Sequence, residues 1–261
     1  MAKKAKEPPI VVIFGDEDHQ KSTMLDRALN ALLPPEIDRT MALSIFDGTQ
    51  SEEQGGPSFA GVMDDLATLP FLAPRRVVVI RDADSFISSW RERLENYLDH
   101  PSPTGTLVLV CRSLPKNTRL YKAAQSAGGE LHECKKLSGR GLVEFVEAEA
   151  QARGKQMQTA AAGKLCNLIG QDQGLLASEV EKLALYVGDR KSISSEDVTE
   201  LVGQTREEKI FAVMDAAAVG ELPHALQLWQ GVLETDSAAA FRAVGGIAFV
   251  PSGWTQPQNV F

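Results

Sequence analysis

The sequence predicts an α/β fold followed by an all-helical region. Three observations carry this. First, short aliphatic runs alternate with amphipathic segments from residue 10 to about residue 138, which is the pattern of a parallel sheet with crossover helices in a three-layer domain. Second, from Ser138 onward strand signals cease and only helical periodicity remains. Third, Gly154, Gly170, Gly188, Gly203 and Gly220 stand where those later periodic segments end, as glycine does at helix C-termini.

The elements follow in order. Residues 10–14, IVVIF, read as a buried strand ended by Gly15. A helix is expected over 21–33, with Met24, Leu25, Ala28, Leu29 and Leu32 on one face and Pro34-Pro35 as its stop. MALSIFDG, 41–48, reads as a second strand closed by the turn pair Asp47-Gly48. Ser51 with Gln54, then Gly-Gly-Pro, leads into a helix over 58–69 whose inner face is Phe59, Val62, Met63, Leu66 and Leu69. VVVIRDAD, 77–84, is an unbroken β-branched run ending in acids, as a buried parallel strand would be. A helix over 88–99 turns Trp90, Leu94, Tyr97 and Leu98 inward, and TLVLVC, 106–111, is the fourth strand. A helix over 117–127 and the short strand ELHEC, 130–134, complete the α/β part.

Beyond it, helices are expected over 139–153, 158–169, 173–187, 195–202, 206–219, 222–234 and 237–249. SISSEDV places a serine before a turn rich in acids, the arrangement of an N-cap. The expected divisions are a disordered leader, 1–9; the α/β domain, 10–138; a helical domain, 139–204; a shorter helical unit, 205–250; and an atypical tail, 251–261. PSGWTQPQNVF is polar and lacks helical period, so the C-terminus reads as cut short or altered.

Between the 58–69 helix and the third strand lies PFLAPRR. Pro70 and Pro74 hold a short stiff turn, and the apolar pair Phe71-Leu72 sits inside it. Two readings stand: the pair tucks under the sheet, or it projects as a plug for a partner's pocket.

Composition sets outer limits. The 261 residues carry 43% hydrophobic and 24% charged side chains, ordinary for a globular chain, and a net charge of −8. That balance argues against a protein that neutralises phosphates over its whole surface. Arg75, Arg76 and Lys135-Lys136 are short basic spots of the kind usually solvated. Cys111, Cys134 and Cys166 suggest neither a disulfide framework nor a zinc site and fit a cytoplasmic protein; His19, His100, His132 and His224 lack metal-ligand spacing. No metal, no cofactor and no membrane span is expected.

Nucleotide chemistry can be tested against the P-loop pattern G-x-x-x-x-G-K-[ST]. Gly15, Lys21 and Ser22 fall at the right spacing, but Gln20 replaces the second glycine, and Asp16, Glu17 and Asp18 fill the loop. Each close like-charge contact with a triphosphate costs on the order of 1 kcal/mol or more. Gln20 also lacks the backbone freedom of glycine. The loop reads as degenerate. Asp82 and Asp84 then read as caps of the next helix, and Arg112 as a weak candidate for an arginine finger. No nucleophile–base constellation is visible.

Five stretches in this order resemble the delta subunit of the bacterial DNA polymerase III clamp loader, a member of the AAA+ clade that has lost its P-loop. They are VVIFGDEDHQKSTMLDRAL, LPFLAPRRVVVIRDADSF, TLVLVCRSLPKNTRLYKAAQSAGGELHEC, LLASEVEKLALYVGDRKSISSEDVTELVG and REEKIFAVMDAAAVGELPHALQLWQGVL. The fourth, with its core from Glu179 to Tyr186, is the most specific. The resemblance implies an AAA+-like sheet domain, a helical lid and the start of a helical collar. It also implies an accessory subunit with no catalytic residues that binds and opens the sliding clamp ring for loading onto primed DNA without hydrolysing ATP itself. Carried over by position, Phe71 and Leu72, flanked by Pro70 and Pro74, match the apolar pair that enters the clamp. Other loader subunits, the motor ATPases, are implied partners, and primer-template DNA only through the assembled complex. A divergent P-loop ATPase using Lys21, and a scaffold without clamp contact, are the alternatives.

Overall fold

The computed structural model describes residues 7–50, 52–70, 73–203 and 213–235. The chain divides into two compact units, Met1–Lys136 and Leu137–Phe261.

The first unit is built on a five-stranded sheet, β1 (Ile10–Gly15), β2 (Leu43–Asp47), β3 (Arg76–Arg81), β4 (Gly105–Cys111) and β5 (Glu130–Cys134), in the order β2-β3-β4-β1-β5. All four pairings are parallel. The central strands β1, β3 and β4 are apolar on both faces because both are covered. On one face Ile10, Val12, Val78, Ile80, Leu107 and Leu109 pack against α2 (Phe59–Ala67), α3 (Asp84–Asp99) and α4 (Arg119–Ser126). On the other, Val11, Ile13, Val77, Val79 and Val108 meet Leu25, Leu29 and Leu32 of α1 (Asp18–Leu32). The α/β expectation is met, as a three-layer arrangement.

Local departures have local causes. α1 begins at Asp18 rather than at residue 21, so the last of the three acids, Asp18, is wound into its first turn and Glu17 stands at its N-cap. α3 begins at Asp84 rather than 88, and Trp90 kinks it (φ −119°, ψ 21°), with its indole 5.8 Å from the Phe59 ring. Its N-cap is Ala83, without a side-chain bond, so Asp82 and Asp84 do not cap it. The Asp84 carboxylate instead accepts the backbone N–H of Arg112 at 3.1 Å, tying the start of α3 to the end of β4.

The second unit contains α5 (Arg140–Ala152), α6 (Thr159–Ile169), α7 (Gln173–Tyr186) and α8 (Ser195–Val198). Leu142, Val146, Leu165, Leu176, Val180 and Leu183 form its core. Gly154, Gly170 and Gly188 follow helix ends with positive φ. Ser194 caps α8, and Asp197 completes a capping box. Two short strands, β6 (Gln156–Met157) and β7 (Ser192–Ile193), pair in parallel here, correcting the expectation that no strand follows Ser138. Two-residue strands carry no period that a sequence pattern could reveal. Residues 213–218 and Leu222–Thr235 are also helical. Residues 206–212 and the expected helix over 237–249 lie outside the described residues.

Candidate functional site

Two places on the first unit bear on function. The first is the segment after β1. Gly15 takes φ 140° and lies against the end of β5. Glu17 is buried, and its carbonyl accepts the backbone N–H of Lys21 at 3.0 Å, closing the first turn of α1. A phosphate nest needs successive N–H groups left open and converging. Here the helix starts three residues before Lys21, and the N–H of Lys21 is already used. The Lys21 side chain is buried to 8% exposure and its ammonium meets Asp18 at 2.8 Å. The Gln20 amide donates to the Lys135 carbonyl at 3.2 Å, and Ser22 is exposed. The stretch is thus tied to itself and to β5.

Nearby, Cys111 and Cys134 are buried. Burial, reinforced by Asp84, pushes the Cys111 thiol up to about 12, so it stays protonated and unreactive at neutral pH. The Arg112 side chain is exposed, its Nε 3.6 Å from Asp84. Among the described residues no group of three His, Cys, Asp or Glu is disposed to hold a metal ion. No helix among them is long and apolar enough to cross a membrane.

The second place is the turn joining α2 to β3. Ser58 caps α2, its hydroxyl accepting the N–H of Gly61 at 3.0 Å. The helix ends at Ala67, and Thr68 is already extended (φ −64°, ψ 128°). Leu69, expected on the inner face, is 78% exposed. The residue before a proline is steered out of the helical region, and Leu69 precedes Pro70; the signal was present in the sequence but outweighed by the apolar period. Pro70 is half-buried and Pro74 exposed, while Ala73 packs on the α1 side of the sheet. Phe71 and Leu72 lie outside the described residues. Beside Leu69 an open groove of about 680 Å³ runs between α2 and α3, walled by Phe59, Met63, Ala67 and Tyr97.

Arg75 and Arg76, read from sequence as solvated basic spots, are structural. Arg75 is only 6% exposed. Its Nη2 donates to the Gly105 carbonyl at 2.7 Å, its Nη1 reaches Glu7 and the Pro103 carbonyl at 3.3 Å, and its Nε donates to Thr106. Arg76 donates to the Met41 carbonyl at 2.6 Å, to the Ser44 hydroxyl at 2.9 Å, and to Asp65 on α2. Its Nε is buried without a partner among the described residues, at a cost of about 1–3 kcal/mol. The geometry is held nonetheless, because the other donors of the planar fork are satisfied. Sequence reasoning missed this because the partners stand far along the chain and carry no local signature.

The first unit thus combines a five-stranded parallel sheet, a closed first helical turn after β1, and a proline-bounded turn clamped at its base by arginines. Residues 12–134 match the family described as DNA polymerase III, delta subunit. The chain is 25% identical over 243 residues to the DNA polymerase III subunit delta of Bacillus subtilis (strain 168), an alignment covering 89% of this chain and 67% of that one. It shares its fold with the Bacillus subtilis DNA clamp loader delta protein (YqeN), with a TM-score of 0.62 and 22% identity over 87% of this chain and 68% of that structure.

Proposed function

We propose that the chain acts as the clamp-binding subunit of a cytoplasmic clamp loader, gripping the sliding clamp through Phe71 and Leu72 between Pro70 and Pro74. The observation that carries this reading is the mounting of the turn. Both arginines at its far end are spent on fixing its base to the sheet, and Leu69 at its near end stands in solvent. A stiff turn bracketed by prolines binds at lower ordering cost than a free loop. An apolar pair on such a turn has the character of a binding hot spot.

The mechanism is a wedge. A subunit that binds the open ring more tightly than the closed ring shifts the ring toward opening by the difference in affinity. The chain needs no ATP hydrolysis of its own for this. The closed first turn of α1, with the Lys21 N–H taken by Glu17, supports a non-hydrolysing role. Motor subunits with working phosphate loops would supply the energy by exposing or hiding the wedge, and primer-template DNA would be met in the assembled complex. The direct test is clamp binding by the full chain carrying Phe71→Ala and Leu72→Ala together. Loss of binding with an unchanged circular dichroism spectrum is expected; wild-type affinity would reject the assignment.

A further inference from the structure

We propose that Arg76, paired with Asp65, is a positioning residue for the clamp-facing turn: one guanidinium staples the helix that enters the turn to the strand that leaves it. This rests on the reading of the turn as the clamp contact. Asp65 lies in the last stretch of α2, and Arg76 is the first residue of β3. Their ion pair spans the whole turn, 11 positions along the chain. Both side chains are largely withdrawn from water, 14% exposed for Arg76 and 23% for Asp65, so salt screens the pair less than a surface contact.

The rest of the local bonding points the same way. Thr68 closes α2 by donating its N–H to the Asp64 and Asp65 carbonyls, at 3.0 and 3.2 Å, and its hydroxyl to Asp64 at 2.8 Å. The end of the helix from which Asp65 projects is therefore fixed. On the far side, the same Arg76 fork holds Ser44 and the Met41 carbonyl, anchoring it to β2 and the residues just before it. Both flanks of the turn are thus referenced to a single planar group.

A partly buried ion pair is a weak source of stability, since packed apolar residues often serve as well or better. What a bidentate-capable arginine supplies is direction. Fixed flanks lower the ordering cost of binding, which raises affinity without adding a contact to the clamp.

The experiment is a double-mutant cycle on the full chain, with the purified sliding clamp as probe and surface plasmon resonance as readout. Asp65→Asn keeps the shape and removes the charge; Ser44→Ala removes a milder arm of the same network and serves if the first variant folds poorly. Either is expected to weaken clamp binding, Asp65→Asn by roughly tenfold, with Asp65→Glu recovering part of the loss. In the Phe71→Ala, Leu72→Ala background the same changes should leave the residual binding unaltered, which a general loss of stability would not produce. Wild-type affinity for both Asp65→Asn and Ser44→Ala, or equal losses in the two backgrounds, would overturn the positioning role while leaving the clamp contact standing. Wild-type binding by the Phe71→Ala, Leu72→Ala variant itself would overturn both.

Discussion

Gly15 and Cys134 meet backbone to backbone: a β-carbon on Gly15 would stand 1.8 Å from the Cys134 carbonyl oxygen. The two residues are partners at the end of the β1–β5 register. With φ at 140°, Gly15 also occupies a region that residues with a β-carbon rarely adopt. Gly15→Ala is therefore expected to cost about 3 kcal/mol or more, combining overpacking and backbone strain. Urea unfolding of the variant checks this; a midpoint unchanged from wild type would show that β5 can move aside.

The same segment bears on nucleotide binding. With the Lys21 N–H bonded to Glu17 and the Lys21 ammonium paired with Asp18, the chain offers a triphosphate few open donors and several acids. Isothermal titration with Mg-ATP is expected to show no saturable heat. Binding tighter than about millimolar that Lys21→Ala abolishes would revive the divergent ATPase reading.

Arg75 predicts a stability effect distinct from the positioning role of Arg76. Its removal leaves Thr106, the Gly105 and Pro103 carbonyls and Glu7 without their shared donor. Arg75→Ala should destabilise the first unit by about 3 kcal/mol, the scale for breaking a buried charged network. Arg75→Lys should recover only part of this, because one ammonium cannot span the fork. Chemical denaturation of the three proteins side by side is the measurement, and full recovery by lysine would argue against the fork geometry.

In the second unit the pH dependence has a definite sign. The Arg190 guanidinium, 2.7 Å from Asp197, together with the Ser194 N–H, holds the Asp197 carboxyl below its usual range, against a smaller opposing effect of burial. A lowered folded-state pKa contributes stability that is present above the unfolded carboxyl value of about 3.9 and is lost as pH falls through the lower folded value. Amide exchange around α8 should therefore accelerate below about pH 4, and Asp197→Asn should flatten that response. Ser194→Ala, which removes the other half of the capping box, is expected to cost about 1 kcal/mol at neutral pH.

Much of the fold was legible because its signals are local. The β-branched core of the third strand, 77–80, and the strand ELHEC at 130–134 lie where the pattern put them, although the third strand ends at Arg81 rather than at residue 84, since alternating helices and apolar runs leave few topologies open. The Ser194 cap was legible for the same reason: its partner is three residues away. The start of α1 was not. The acids at 16–18 resemble a loop, yet Asp18 near a helix N-terminus is favoured by the dipole, and the helix extends to include it.

The sequence by itself determined the layering of the first unit and the helical character of the second, and residues 12–134 carry a likeness to the family described as DNA polymerase III, delta subunit. It also singled out the proline-bounded turn. Only the tertiary structure decided what the arginines beside that turn do. A basic residue looks the same in sequence whether it is solvated or buried. Its state depends on which carbonyls and carboxylates the fold carries to it, and for Arg75 these come from 28 to 68 positions away. Hydrophobic period is written along one helix or strand, whereas the satisfaction of a buried charge exists only once distant strands have been brought side by side.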